Sequence, residues 1–371
     1  AAPPMPAPAQ PFADQLQRPA PLIGGTGPAA KSKRATAPGR EMSGATGYAQ
    51  PADTMPQPQY EASGRDQFSS AAENPVKRAV EEPVSTFSAD VDTASYAFVR
   101  RMLMRGVLPQ KVAVRVEEMV NYFDYDYPAP ATREQPFQAT VGVLPSPWKD
   151  GNKLIRIGIK GYSLTAAEKP RSNLVFLLDV SGSMNAPDKL PLMISSMKLL
   201  LDSLKADDTV AIVTYAGASG TALEPTRVAE KHKILAALDR LSAGGSTAGA
   251  EGIRQAYALA EGSFDKNAVN RVILATDGDF NVGITNPDEL KGFVERKRKS
   301  GVFLSVLGFG QGNLNDRLMQ ELAQNGNGVA AYVDTLNEAR KLLVEGASAM
   351  LFPIAKDVKI QVEFNPKTVA E

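Results

Sequence analysis

Leu174-Val175-Phe176-Leu177-Leu178-Asp179-Val180-Ser181-Gly182-Ser183 is the stretch whose reading decides the fold. Five consecutive apolar residues end in a carboxylate, and a serine- and glycine-containing turn leads to an amphipathic helix over 190–205. A strand that is apolar at every position is covered on both faces, whereas a half-exposed strand alternates. The same alternation of strand and helix continues: strand 209–215, helices 233–241 and 248–261, strand 271–276, helix 288–300, strand 302–309, helix 315–324, strand 329–333 and helix 337–349. This order predicts an α/β fold, a Rossmann-like, doubly wound and mostly parallel sheet with helices on both faces, over 172–350. Ligands of such sheets collect beyond the carboxyl ends of the strands.

Three loops lie there. The first carries Asp179, Ser181 and Ser183. The second, Gly244-Gly245-Ser246-Thr247, enters the helix that starts at Ala248, and the third is Asp277-Gly278-Asp279. Together Asp179, Ser181, Ser183, Thr247 and Asp277 offer two carboxylates and three hydroxyls, an all-oxygen set suited to a hard cation, Mg²⁺ first and Mn²⁺ or Ca²⁺ after it. These loops show no basic side chain. If one carboxylate stays in the outer shell, a dication there is incompletely neutralised and favours an anionic oxygen from outside, the carboxylate of a partner's Asp or Glu. Against this stands the use of Ser and Asp simply to start helices.

Composition removes other chemistries. The 371 residues include no cysteine and a single histidine, His232 in Lys231-His232-Lys233, which excludes disulfides, thiolate zinc sites and Cys nucleophiles. Basic and acidic side chains balance at 41 each, without the basic excess of a nucleic-acid binder. No apolar run approaches the ~18 residues of a membrane span. The glycines of Gly308-Phe309-Gly310-Gln311-Gly312 lack the lysine of a phosphate-binding loop.

Outward from the sheet, residues 1–82 hold 13 of the 27 prolines with no apolar period, and read as a disordered Pro/Ala/Gly-rich linker. As a flexible coil it would reach roughly 50 Å. Residues 84–168 read as a small α+β accessory region: a helix over 94–105 capped by Asp92 or Thr93, a helix over 112–123, and a hairpin of 137–144 with 153–160 around Lys149-Asp150-Gly151-Asn152. Asp90 and Asp92 fit helix capping better than a second cation site. Tyr122, Phe123, Tyr125 and Tyr127 fit packing against a sheet better than a peptide-binding surface. The run Glu-Arg-Lys-Arg-Lys over 295–299 reads as a solvated helix face. Met184 is open between the ligand surface and the core. Residues 351–371 start a further region whose strand, 356–364, pairs with the accessory strands; the chain begins at Ala1 and stops soon after that region starts, which reads as processing and truncation.

Asp-x-Ser-x-Ser, a later Thr and a strand-ending Thr-Asp-Gly resemble the metal-ion-dependent adhesion site of von Willebrand factor A domains. Phe-Ser-Ala-Asp-Val-Asp-Thr-Ala-Ser-Tyr and Glu-Glu-Met-Val-Asn-Tyr-Phe-Asp-Tyr-Asp-Tyr-Pro are similar to the segment preceding this domain in bacterial YfbK-type proteins, and the resemblance extends over 84–371. It implies that Ser181 and Ser183 ligate the ion directly, that Thr247 and Asp277 do so directly or through water, and that Asp179 acts through water. Ala248 stands where an Asn is expected.

The implied function is a divalent-cation-dependent adhesion or scaffold module of the cell envelope, periplasmic or surface-exposed, held by its leader or a lipid anchor upstream, recognising an acidic side chain of a protein partner and catalysing nothing. One alternative is a Mg²⁺-dependent phosphohydrolase with Asp179 as nucleophile, although Ser181 occupies the place of its acid. Another is a structural envelope protein with a vestigial metal site.

Overall fold

The computed structural model describes residues 66–68, 74–88, 91–165, 167–216, 219–245, 249–278, 287–355 and 358–370. In chain order the accessory part supplies β1 (Val84–Ser88), α1 (Ala94–Met104), α2 (Val116–Asn121), β2 (Phe137–Pro145) and β3 (Lys153–Gly161). The sheet domain follows with β4 (Arg171–Asp179), α3 (Leu190–Ser203), β5 (Thr209–Tyr215), β6 (Ser219–Arg227), α4 (Lys231–Asp239), α5 (Gly249–Gly262) and β7 (Ala268–Thr276). It continues through α6 (Pro287–Lys299), β8 (Val302–Phe309), α7 (Asp316–Asn325), β9 (Ala330–Val333), α8 (Leu336–Arg340) and α9 (Ala347–Leu351) to β10 (Lys359–Glu363).

Six strands form one sheet in the order β6-β5-β4-β7-β8-β9. All neighbours pair parallel except β6, which runs antiparallel to β5 at the edge. The sequence offers little signal for β6: Gly220 and Pro225 interrupt it, and an edge strand tolerates both. Within β4, Leu174, Phe176 and Leu178 enter a core shared with α3 and α4, while Val175 and Leu177 enter the opposite core with α5, α6 and α7. Period-2 side chains thus feed two cores, and both covers are built from apolar helix stripes. Met184 is fully buried in the first of these cores, which settles it as a core residue and removes it from any ligand surface.

The expected second helix over 112–123 is shorter. A 3₁₀ turn, Lys111–Ala113, precedes an extended Arg115, and the α-helix starts only at Val116. Arg115 takes that backbone to place its guanidinium between Glu118 and Asp316, donating to Asp316 Oδ2 at 2.7 Å. The expected helix over 337–349 is broken into α8, a π-helical turn at Lys341–Glu345, and α9. Of the two candidate caps, Thr93 stands at the N-cap of α1, without a side-chain cap bond, and Asp92 precedes it. Its carboxylate accepts from the Ala330 N–H at 3.2 Å, at the start of β9, and Glu118 accepts the Ser95 N–H at 2.8 Å in its place. Asp90 lies outside the described residues.

β1 pairs antiparallel with β10, and β2 with β3, so the sheet domain stands between the two strands of one accessory pair. In the aromatic cluster Tyr127 meets a strand as expected, its ring filling the space where a side chain at Gly158 would stand, whereas Tyr122 stacks on Tyr96 of α1 at 3.9 Å and Phe123 and Tyr125 are exposed. In the 295–299 run, Glu295 pairs with Lys299, and Lys297 reaches Glu261.

The leader expected to be disordered through residue 82 falls largely outside the described residues, but its last part differs from that expectation. Asp66 accepts backbone N–H groups of Gly312 at 3.0 Å and Leu314 at 2.8 Å, and Phe68 meets Phe98 edge-on at 4.9 Å. The Gln67 backbone adds a bridge, its N–H donating to Leu314 O at 2.7 Å and its carbonyl accepting from the Arg317 N–H at 3.4 Å. Asp66→Ala should cost about 1–2 kcal/mol in urea denaturation. An unchanged stability would show that Asp66 does not hold the segment.

Candidate metal centre

Strand order runs outward in opposite directions from the adjacent pair β4 and β7, so the crevice between their carboxyl ends is the switch point of the sheet. Asp179 closes β4 there, and Asp277 follows Thr276 at the end of β7. Both carboxylates are fully buried.

Asp179 is held by three donors. Its Oδ1 accepts from the Ser181 N–H at 2.9 Å, and its Oδ2 from the Tyr215 hydroxyl and the Thr276 hydroxyl, both at 3.2 Å. Burial pushes its carboxyl up to about 6 and the Asp277 charge adds to this, while the Ser181 and Tyr215 donors work in the other direction. Ser181 is buried, with its Oγ 3.1 Å from the Oγ of the exposed Ser183. Adjacent ligands of an octahedral ion with bonds near 2.1 Å stand about 3 Å apart, so the two hydroxyls fit one ion.

Thr247 lies outside the described residues. The loop leading to it is described and is stitched to the first turn: Gly182 N–H donates to Gly245 O at 3.1 Å, and Gly244 N–H to Val180 O at 2.8 Å. Asp179, Ser181, Ser183 and Asp277 therefore come together, with the Gly244-Gly245 end of the second loop beside them.

The expectation of a site without a basic side chain is wrong. Lys189, two residues beyond Pro187 and only 8% exposed, donates from Nζ to Asp277 Oδ2 at 2.8 Å and to Asn313 Oδ1 at 3.1 Å. Burial raises the Asp277 carboxyl, but hydrogen bonds from Lys189, Asn313 and Ser183 together with the Lys189 charge hold it below the usual range. The Lys189 stem crosses Gly310, where an added Cβ would meet its Cε at 2.5 Å, so Gly310 is glycine to let the lysine through. Helix α1 fixes this arrangement from behind. Arg101 pairs with Asp188 and donates to the Tyr332 hydroxyl at 3.0 Å, and Tyr332 donates to Gly310 O. Sequence reading missed Lys189, Tyr215 and Asn313 because each reaches the site from another element; the one available signal was a lysine directly preceding a helix that follows the Asp-x-Ser-x-Ser turn.

The donor chemistry fits a hard divalent ion. Among the described residues no group of three or more His, Cys, Asp or Glu side chains gathers, so such an ion relies on hydroxyls as much as on charge. Among known proteins, the von Willebrand factor type A domain model matches residues 173–344, a von Willebrand factor model matches 62–156, and a model of the C-terminal region of the uncharacterized protein YfbK matches 349–371. The chain is 46% identical over 314 residues to YfbK of Escherichia coli (strain K12), covering 83% of this chain and 55% of that protein. It therefore spans about half the length of this relative. Among solved structures it is similar to a von Willebrand factor type A protein from Catenulispora acidiphila (17% identity, 61% of this chain and 51% of that one, TM-score 0.44). It is also similar to the manganese-loaded TRAP protein of Plasmodium vivax (20% identity, 53% and 78%, TM-score 0.40). The models on three consecutive segments, the sheet order and the relative in Escherichia coli agree: this chain is a YfbK-type protein built around a von Willebrand factor A domain.

Proposed function

We propose that the chain is a divalent-cation-dependent binding module of adhesion or scaffold type. Ser181, Ser183, Thr247 and Asp277 would hold the ion, Mg²⁺ first with Mn²⁺ and Ca²⁺ as chemically similar alternatives, and Asp179 would act through water. When bound, the cation supplies a positively charged coordination position for the carboxylate of an Asp or Glu on a partner protein. The observation that carries this reading is the convergence at the switch point of two buried carboxylates and two hydroxyls at ion-sharing distance, with Ser183 open to solvent.

A place in the cell envelope is supported by the long proline-rich leader acting as a tether. Among the described residues no helix is long and apolar enough to cross a membrane. The phosphohydrolase alternative gains a cation in Lys189, yet position 181 still offers a hydroxyl where that chemistry needs a carboxylic acid, and Lys189 is engaged by Asp277. No catalysis is therefore proposed. Affinity capture from envelope extracts tests the binding reading: a partner retained in Mg²⁺ should be lost in EDTA and with Asp179→Ala, while circular dichroism shows the fold intact. Equal capture in all three conditions would overturn it.

A further inference from the structure

The charge balance of the site depends on Lys189. Ionised Asp179 and Asp277 contribute two negative charges and the serine hydroxyls none. A dication in that set alone would be neutral overall, and only the outer-shell place of Asp179 would leave it a demand for a further anion. Lys189 adds a buried positive charge whose Nζ stands 2.8 Å from Asp277 Oδ2, fixed by Asn313 and by passage of its stem over Gly310. Its side chain is 10% exposed and that of Asp277 is 0%, so water screens this pair poorly.

We infer that Lys189 sets the ligand demand of the site: by occupying one oxygen of Asp277 it weakens the hold on the divalent ion and leaves the loaded centre with a net positive charge that an external carboxylate neutralises. This rests on the metal-site reading above. In the metal-free protein the same lysine keeps the two buried carboxylates from facing each other uncompensated. Metal affinity and ligand affinity are thus traded against one another by one side chain that is not itself a ligand, a positioning and charge-setting residue. Asp188, held by Arg101 of α1, ties its placement to the accessory part of the chain.

The test uses Mn²⁺ and acetate as probes. Mn²⁺ affinity is measured by calorimetry for the wild-type chain, Lys189→Met and Lys189→Gln. Displacement of metal-bound water by acetate is followed through water-proton relaxation. Both neutral variants should bind Mn²⁺ roughly tenfold more tightly, the equivalent of about 1.4 kcal/mol, and need several-fold more acetate to displace water. Two neutral side chains of different shape separate charge from packing, and circular dichroism checks that each is folded. If the wild type binds Mn²⁺ but both variants bind it equally or more weakly, or if acetate displaces water from them just as readily, the role of Lys189 is wrong while the metal site stands. If none of the three binds Mn²⁺, the metal-site reading fails, and this inference with it.

Discussion

Gly278→Ala should destabilise the protein by roughly 3–5 kcal/mol, the sum of backbone strain and overpacking, and lower its melting temperature by on the order of 10 °C. Gly278 has φ +98°, a conformation side chains rarely adopt. An added Cβ would stand 2.5 Å from Asn315 N and Leu314 Cα and 2.6 Å from Asn313 O. Those are backbone atoms of the loop into α7, so no rotamer change relieves the overlap. The same loop carries Asn313 toward Lys189, and Gly278 N–H donates at 3.1 Å to Thr276, which supports Asp179. Gly312→Ala is the control. Its φ is +93° but nothing lies within 4 Å of its Cβ, so it should lose about 1–2 kcal/mol from strain alone. Urea denaturation in EDTA measures both without linkage to metal. Equal losses at the two positions would refute the crowding argument.

Arg100→Met should cost about 3 kcal/mol at neutral pH. Its guanidinium donates to Asp334 at 2.5 and 3.2 Å, to Glu338 at 3.0 Å and to the Tyr122 hydroxyl at 2.8 Å. The side chains of Asp334 and Glu338 are each 2% exposed, so removal of Arg100 leaves two buried carboxylates without their common counter-charge. Arg100 is partly exposed, which places the cost at the low end of the range for broken buried pairs. Urea denaturation at neutral pH checks this: a loss within about 0.5 kcal/mol of zero, as at an ordinary surface position, would refute the role of Arg100 as the counter-charge of the two carboxylates.

The central sheet was legible because buried parallel strands carry their own signature. The apolar runs at 174–178 and 302–307 and the amphipathic segments between them place five of the six strands. β6 was not, because an edge strand has no need of that pattern. Asp179, Ser181, Ser183 and Asp277 were legible because each sits at a strand end or in the turn after it, where topology alone brings loops together. Lys189 was not: its position depends on the path of its stem over Gly310, a tertiary fact. Asp92 shows the same limit. An aspartate before a helix is among the preferred caps, yet here it reaches across to Ala330 because the edge of the sheet is close by.

The pairing of Thr86 with Gln361 spans 275 positions. Closing so long a loop from an unstructured chain costs about 5 kcal/mol in entropy before any ladder bond forms, more than five residue pairs can return. Once the intervening domain has collapsed, its ends stand together and that penalty is gone. The ladder is accordingly expected to zip last and to fray first, making amide exchange along Val84–Ser88 a gauge of whether everything between has reached its native arrangement.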